Sequence, residues 1–267
     1  NLSWAILLSA FIDEVTPYHG KEILDTDWNT IIGSTVKKVH KVYPIVKKDT
    51  FRKDLWEILN TFISIAESKE PEEEIGVLSI GEYAKYMQAP HRMDLMISGM
   101  VKDNHWNCNQ RCMHCYAADQ ELAETEELPT ESWKSIIQKC RSAGIPQLTF
   151  TGGEPTLRSD LVELVEYSKW FITRLNTNGV LLTKELCMRL YEASLDSVQV
   201  TLYSGDFRKH NRLVGAENWA KTADGIRNAV EAGLDVSVNT PLCKLNSDYG
   251  ETLKSIKELG VRYVTCS

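Results

Sequence analysis

At 267 residues, 43% of them apolar, the chain can build one large domain or two smaller ones around a real buried core. Its 30 basic and 37 acidic side chains leave a formal charge of −7, which gives no electrostatic reason to expect nucleic acid as a partner. Seven cysteines, an odd number with three clustered, argue against a disulfide framework and for a reducing, cytoplasmic setting.

Residues 2–12 are nearly all apolar. The run is shorter than the roughly 20 residues a bilayer helix needs. It also lacks the basic lead and small-residue cleavage site of a secretory signal. It reads as a buried helix or strand pair, and no membrane association is expected. Residues 1–90 continue with helical patterning. At 54–67, Leu55, Ile58, Leu59, Phe62, Ile63 and Ala66 recur at helical spacing. Glu70-Pro71 and the acidic residues to Glu74 break the pattern, 79–88 resumes as a short helix, and Pro90 marks a boundary. The lysine-rich stretch 36–48 is either a solvated face or a surface for an acidic peptide. The region is thus a peptide-binding element or a structural cap. The chain starts on Asn1 and stops at Ser267 just after a strand-like run, as a piece of a longer protein would.

From Met93 onward strands alternate with helices. Strands are predicted at 93–101, 147–151, 171–175, 197–203, 235–240 and 262–266. Helices fall between them at about 130–143, 160–169, 183–193, 217–232 and 248–259. Thr130, Thr183 and Asp248 are expected helix caps, and Gly144, Gly233 and Gly260 are expected helix ends. Repeated βα units demand a parallel sheet with right-handed crossovers. A partial barrel and a doubly wound sheet both satisfy that rhythm. Polar residues choose between them. Arg174, Asn176 and Asn178 alternate along the third strand and its exit, Gln199, Thr201 and Tyr203 along the fourth, and Ser237 and Asn239 along the fifth. Alternate residues share a face. One polar face per strand suits a barrel open enough to admit a substrate at the strands' C-terminal ends.

Cys108, Cys112 and Cys115 form a C-x3-C-x2-C triplet. Thiolate sulfur is a soft ligand, and this spacing lets one loop wrap an iron–sulfur cube with each sulfur on a different iron. The alternative is a structural zinc site completed by His114 or His105, although such sites usually pair two short-spaced couples and no second couple exists here. Gly152-Gly153-Glu154-Pro155 follows the second strand. Its glycines permit close backbone approach, and its carboxylate can accept hydrogen bonds from an ammonium group. Cys140 and Cys187 sit in helical stretches and read as core thiols; Cys243 follows a strand, and Cys266 comes after Val264 and Thr265 near the end of the chain.

The triplet together with Gly-Gly-Glu-Pro resembles the radical S-adenosylmethionine (radical SAM) enzymes. The Thr177-Asn178-Gly179 turn and the Val200-Thr-Leu-Tyr-Ser204 strand sharpen the likeness toward SPASM-type members that modify ribosomal peptides or protein side chains. It spans about 93–267. The resemblance implies an α/β fold, a (β/α)6 partial TIM barrel at 91–267 preceded by a mainly helical N-terminal region at 1–90. It implies a [4Fe–4S] cluster on Cys108, Cys112 and Cys115 whose open iron chelates S-adenosyl-L-methionine (SAM). One electron from an external donor then yields a 5′-deoxyadenosyl radical that abstracts hydrogen from substrate. Gly152, Gly153 and Glu154 are implied to hold the SAM amino group, and the His114 backbone to contact adenine. Ser204 is implied at the ribose or carboxylate and Arg212 at the carboxylate, for which a guanidinium fork is apt. Asn178 either touches the ribose or caps a turn with Gly179, and Asn239 lies on the nucleoside side. A peptide or protein is the implied substrate. The rivals are a small-molecule cofactor-biosynthesis enzyme of the same chemistry and a non-catalytic zinc- or peptide-binding module.

Overall fold

The structure, a computed structural model, describes residues 2–18, 23–67, 69, 79–84, 87, 89–102, 105–115 and 126–267. The acidic break at 70–74, Tyr116 and the stretch from it to 125 lie outside the described residues. The chain divides into two compact units, 1–86 and 87–267.

The first unit is helical, with α1 (Leu2–Val15), α2 (Asp25–Val42), α3 (Lys48–Ala66) and a short α4 (Ile80–Ala84). The apolar run at 2–12 is therefore a helix. Leu7 and Phe11, one turn apart, are buried with Ile31, Val36 and Phe51. The stripe expected at 54–67 starts earlier, at Phe51, and buries Leu55 and Ile58. Phe62 and Ile63 are about half exposed, because the core ends at Leu59 and the last two turns run past it. Along α2 the lysines are exposed while Val36 and Val39 turn inward. No helix among the described residues is long and apolar enough to cross a membrane.

The second unit carries six parallel strands: β1 (Arg92–Ser98), β2 (Gln147–Gly152), β3 (Ile172–Thr177), β4 (Ser197–Thr201), β5 (Asp235–Thr240) and β6 (Tyr263–Cys266). The crossovers hold α5 (Thr130–Ser142), α6 (Leu161–Tyr167), α7 (Lys184–Glu192), α8 (Phe207–Val214), α9 (Trp219–Glu231) and α10 (Tyr249–Glu258). The strands lie side by side in chain order. A doubly wound sheet reverses its order at a switch point; an order that never reverses sends every right-handed crossover over the same face. The result is an open (β/α)6 partial barrel, its edge strands β1 and β6 unpaired with each other. Leu148, Phe150, Leu175, Val198, Val200 and Val238 face the helices and are fully buried. Arg174, Asn176, Gln199, Thr201, Ser237 and Asn239, on the other face, are only half-buried. The polar stripes do mark the open side of the sheet.

Three local details differ from expectation. β1 stops at Ser98, because the register slips between Met96 and Ser98, and Val101–Lys102 leaves the sheet to pair antiparallel with His105–Trp106. The fourth crossover contains an additional helix, α8, capped by the Asp206 carboxylate on the Arg208 and Lys209 N–H groups and closed by Gly215 at φ 66°. Of the expected caps, only Thr183 bonds the first turn, accepting from the Leu186 N–H at 3.1 Å. Thr130 instead donates to Asp160 at 2.6 Å, and Asp248 pairs with Lys209.

Gly144, Gly233 and Gly260 end their helices in the left-handed region, with φ of 79°, 83° and 85°. α7 ends the same way on Ser194, at φ 73°, the one non-glycine residue with positive φ among the described residues. A Cβ in that conformation costs on the order of 1 kcal/mol. Ser194→Gly is therefore expected to stabilise the fold by roughly 0.5 kcal/mol after the larger unfolded-state entropy of glycine is allowed for. Urea unfolding measures this, and a loss of stability would show that the serine side chain contributes something the backbone strain does not.

Candidate functional site

The cysteine loop, 107–115, lies over the C-terminal ends of β1 to β3 and is held from two sides. On one side the Gly153 N–H donates to the Ser98 carbonyl at 2.9 Å and the Glu154 N–H to the Asn107 carbonyl at 2.9 Å. On the other, the Arg111 and Met113 N–H groups donate to the Val214 and Leu213 carbonyls, both at 2.8 Å. Those carbonyls belong to the last turn of α8 and have no partner within the helix. The Arg111 guanidinium also braces the loop by donating to the Cys108 and Gln110 carbonyls.

The glycine pair is required by this packing. A Cβ on Gly152 would lie 2.5 Å from Ser98 Oγ, and one on Gly153 would lie 2.2 Å from the Asn107 carbonyl oxygen. Gly152 also has φ 146°. The glycines thus let β1, the cysteine loop and the β2 exit meet, a reason independent of any ligand. Beneath them Arg158 ties the frame together. Its guanidinium donates to the Ile97 carbonyl at 2.9 Å and to both Asp160 oxygens at 2.8 and 2.7 Å. Burial pushes the Asp160 carboxyl up, but the bonds from Arg158 and Thr130 outweigh it and hold the group below the usual carboxylate range.

Glu154 is almost fully buried. Its Oε1 accepts from the Thr156 N–H at 3.0 Å, the Thr156 hydroxyl at 2.6 Å and the Thr177 hydroxyl at 2.7 Å. Its Oε2 accepts from the Asn178 N–H at 2.8 Å. Burial raises its pKa and these four bonds oppose the rise. Asn178 is the next link. Its Oδ1 accepts from the Val180 N–H at 3.0 Å as a turn cap, while its Nδ2 donates to Asn109 at 2.6 Å and reaches Cys108 Sγ at 3.8 Å. Cys108, Glu154 and Asn178 are therefore one connected group.

Cys112 faces the other way, toward β4 and α8. It packs on the buried cluster of Tyr203, Leu213 and Val214, with the Tyr203 hydroxyl within hydrogen-bonding reach of its sulfur. Burial and the neighbouring Cys108 push the Cys112 thiol up to about 12. Burial likewise raises Cys108 and Tyr203. The His114 ring is exposed 6.3 Å from the Tyr203 ring. Ser204 is buried between β4 and α8, where its Oγ accepts from the Asp206 N–H at 3.1 Å. Arg212 is exposed on the last turn of α8. Asn239 stands apart from the cysteines, bonded through Oδ1 to the Thr265 hydroxyl at 2.8 Å and through Nδ2 to Ser267 at 3.3 Å.

Sequence reasoning missed three buried residues: Gln110, which bonds Cys112, Asn218, which bonds Gln110, and His210 behind Tyr203. Nothing in their spacing marks them. The helix that carries His210 was legible, from Asp206 as cap, Leu213 and Val214 as inward residues and Gly215 as stop. His210 Nδ1 accepts from the Tyr203 N–H at 3.3 Å, and burial drops the ring's pKa to about 4.

Three free, partly exposed thiols on one short loop are the soft donors an iron–sulfur cube takes, one sulfur to each of three irons. The Radical SAM superfamily model matches residues 107–259 of this chain, from the cysteine loop to the end of α10. The chain belongs to the radical SAM superfamily. Its members use a [4Fe–4S] cluster and SAM. Fe-coproporphyrin III synthase of Methanosarcina barkeri is 35% identical over 148 residues, 53% of this chain and 37% of that protein. PqqA peptide cyclase of Streptomyces rochei is 31% identical over 153 residues, 57% of this chain and 42% of that protein. The chain thus spans less than half the length of these relatives. Among solved structures, Streptococcus suis SuiB bound to its precursor peptide SuiA superposes with a TM-score of 0.58 at 16% identity. That match covers 82% of this chain and 52% of SuiB. The likeness is one of fold.

Glu154→Ala strips four donors of their acceptor, at a cost of about 1 kcal/mol or more each. Urea unfolding of iron-free protein should lose roughly 3 kcal/mol or more, with Glu154→Gln losing less; an unchanged midpoint would mean the network does not hold the turn. For His210, the unfolded chain binds a proton below about pH 6.5 that the folded chain refuses until about 4. Stability should fall as pH drops through that window, by about 3 kcal/mol in all. Unfolding between pH 7 and 4 should show a shallower slope in His210→Gln, and equal slopes would contradict the assignment.

Proposed function

We propose that this chain is the radical-generating part of a radical SAM enzyme acting on a ribosomal peptide or a protein side chain, with residues 91–267 as its core and 1–90 as a separate N-terminal helical domain. Cys108, Cys112 and Cys115 bind the [4Fe–4S] cluster in this reading. The observation that carries it is the seam at the ends of β1 to β3, where the cysteine loop, the Gly-Gly-Glu turn and Asn178 are bonded into one unit. Parallel α/β folds do their chemistry at that end of the sheet.

When bound, the cluster and SAM supply a one-electron cleavage that gives methionine and a 5′-deoxyadenosyl radical able to take hydrogen from substrate. The chain's own residues bind and orient. Glu154 Oε1 is committed to the two threonines, so Oε2, with a single bond from Asn178, is the acceptor left for the SAM ammonium. Arg212 serves the carboxylate from α8, Ser204 and Asn178 the ribose side, the His114 backbone the adenine, and Asn239 the far side of the nucleoside. The half-buried polar faces of β3, β4 and β5 offer hydrogen-bonding groups to the substrate. An external electron donor supplies the electron.

The peptide substrate draws support from the likeness to PqqA peptide cyclase. The likeness to Fe-coproporphyrin III synthase favours the rival, a cofactor-biosynthesis enzyme acting on a small molecule. Anaerobic purification tests the shared chemistry. Brown protein with about four irons and four sulfides per chain, forming 5′-deoxyadenosine with dithionite and SAM, is expected. Cys112→Ala should abolish the cluster absorption and Cys140→Ala, a buried core thiol, should keep it; equal loss from both would sink the ligand assignment.

A further inference from the structure

Gln110 sits in the middle of the cysteine loop, yet its side chain is 6% exposed. Its Oε1 lies 3.4 Å from Cys112 Sγ and accepts the thiol proton, while its Nε2 donates to Asn218 Oδ1 at 3.2 Å. Asn218, just before α9, is 8% exposed, and the neighbouring His210 is fully buried. Because His210 Nδ1 accepts from the Tyr203 N–H, the ring proton is on Nε2. That Nε2 is buried and meets no acceptor in good hydrogen-bonding geometry, although the Asn218 side chain lies near enough to raise the ring's pKa. Three buried polar side chains thus run in a line to one sulfur, and the line has one orphan donor at its far end.

The arrangement suits a thiol and fails for a thiolate. A ligating sulfur has no proton to give, so a carbonyl oxygen 3.4 Å away from it is repelled. The two ends of a carboxamide exchange by a half-turn of its last torsion. Turning Gln110 and Asn218 together reverses the line. His210 Nε2–H then donates to Asn218 Oδ1, Asn218 Nδ2–H to Gln110 Oε1, and Gln110 Nε2–H to Cys112 Sγ. Every buried group in the line is paired after that change, including the orphan, and the sulfur gains a donor.

We propose that His210, Asn218 and Gln110 form a buried relay that delivers a hydrogen bond to the Cys112 thiolate and so raises the reduction potential of the cluster it holds; this rests on the cluster reading above. A donor on a ligating sulfur draws off electron density and stabilises the reduced, more negative cluster. Gln110 and the two residues behind it are positioning residues, acting through Cys112.

The test uses anaerobically purified, iron-loaded full chain. Iron content, a potentiometric titration followed by the electron paramagnetic resonance of the reduced cluster, and the resonance Raman iron–thiolate bands are measured for wild type, Gln110→Leu and Asn218→Leu. Gln110→Leu is expected to keep its iron, move the midpoint to more negative potential and raise the iron–thiolate frequency. Asn218→Leu, which leaves the loop's own residues intact, should shift both in the same direction by less, and it decides the matter if Gln110→Leu does not load. Wild-type protein without iron overturns the cluster reading and the relay with it. Iron-loaded wild type with an unmoved midpoint in the variants overturns the relay alone.

Discussion

The end of α8 fixes where the cysteines stand. A helix terminus leaves its last carbonyls without intrahelical partners, and here the Leu213 and Val214 carbonyls take N–H groups from Arg111 and Met113. The approach is close enough that a Cβ on Gly215, which ends the helix in the left-handed region, would come within 2.8 Å of the Arg111 carbonyl oxygen. Glycine is therefore needed twice over at one position, for the turn and for the neighbour. The loop that carries the sulfurs has no regular structure of its own. It borrows rigidity from a helix on one side and from the β1–β2 seam on the other.

The seam works by the same economy of backbone. Ser98, Gly152, Gly153 and Asn107 meet at distances that exclude side-chain atoms, and the Glu154 carboxylate gathers the donors of the β2 and β3 exits. A buried carboxylate without partners would be expensive; with four donors it becomes the fastening that keeps two strand ends in register. Residues that appear to wait for a ligand thus already have structural employment. Pre-organisation of this kind holds a ligand-binding constellation within a narrow geometry before anything binds.

How much of this could be read from the chain depends on the range of each signal. The six strands and their helices were legible because alternation and helical period are local, and Gly144, Gly233 and Gly260 stop their helices where expected. The choice of barrel over doubly wound sheet was legible from Arg174, Asn176, Gln199 and Ser237, whose polarity made sense only on an open face. The short helix α8 carries its own local signals, Asp206 as cap and Gly215 as stop. Gln110, Asn218 and His210 were beyond reach. They are far apart in sequence, and only the fold brings polar side chains 108 residues apart to 3.2 Å. Thr130 and Asp248 failed as caps for a related reason, since Asp160 and Lys209 on other elements compete for them.

The two faces of the sheet divide the work between them. The outer face is filled with Leu148, Phe150, Leu175, Val198, Val200 and Val238, all fully buried under the helices, and there each lost methyl group would cost stability. The inner face carries Asn176, Gln199, Thr201, Ser237 and Asn239, half-buried and exchangeable without disturbing the core. Stability is therefore written on one set of alternate residues, while the other set on the same strands is left free to vary. A fold arranged this way can keep its core and change its open face by altering every second residue of β3 to β5. That is the physical reason why a shared barrel does not disclose a substrate.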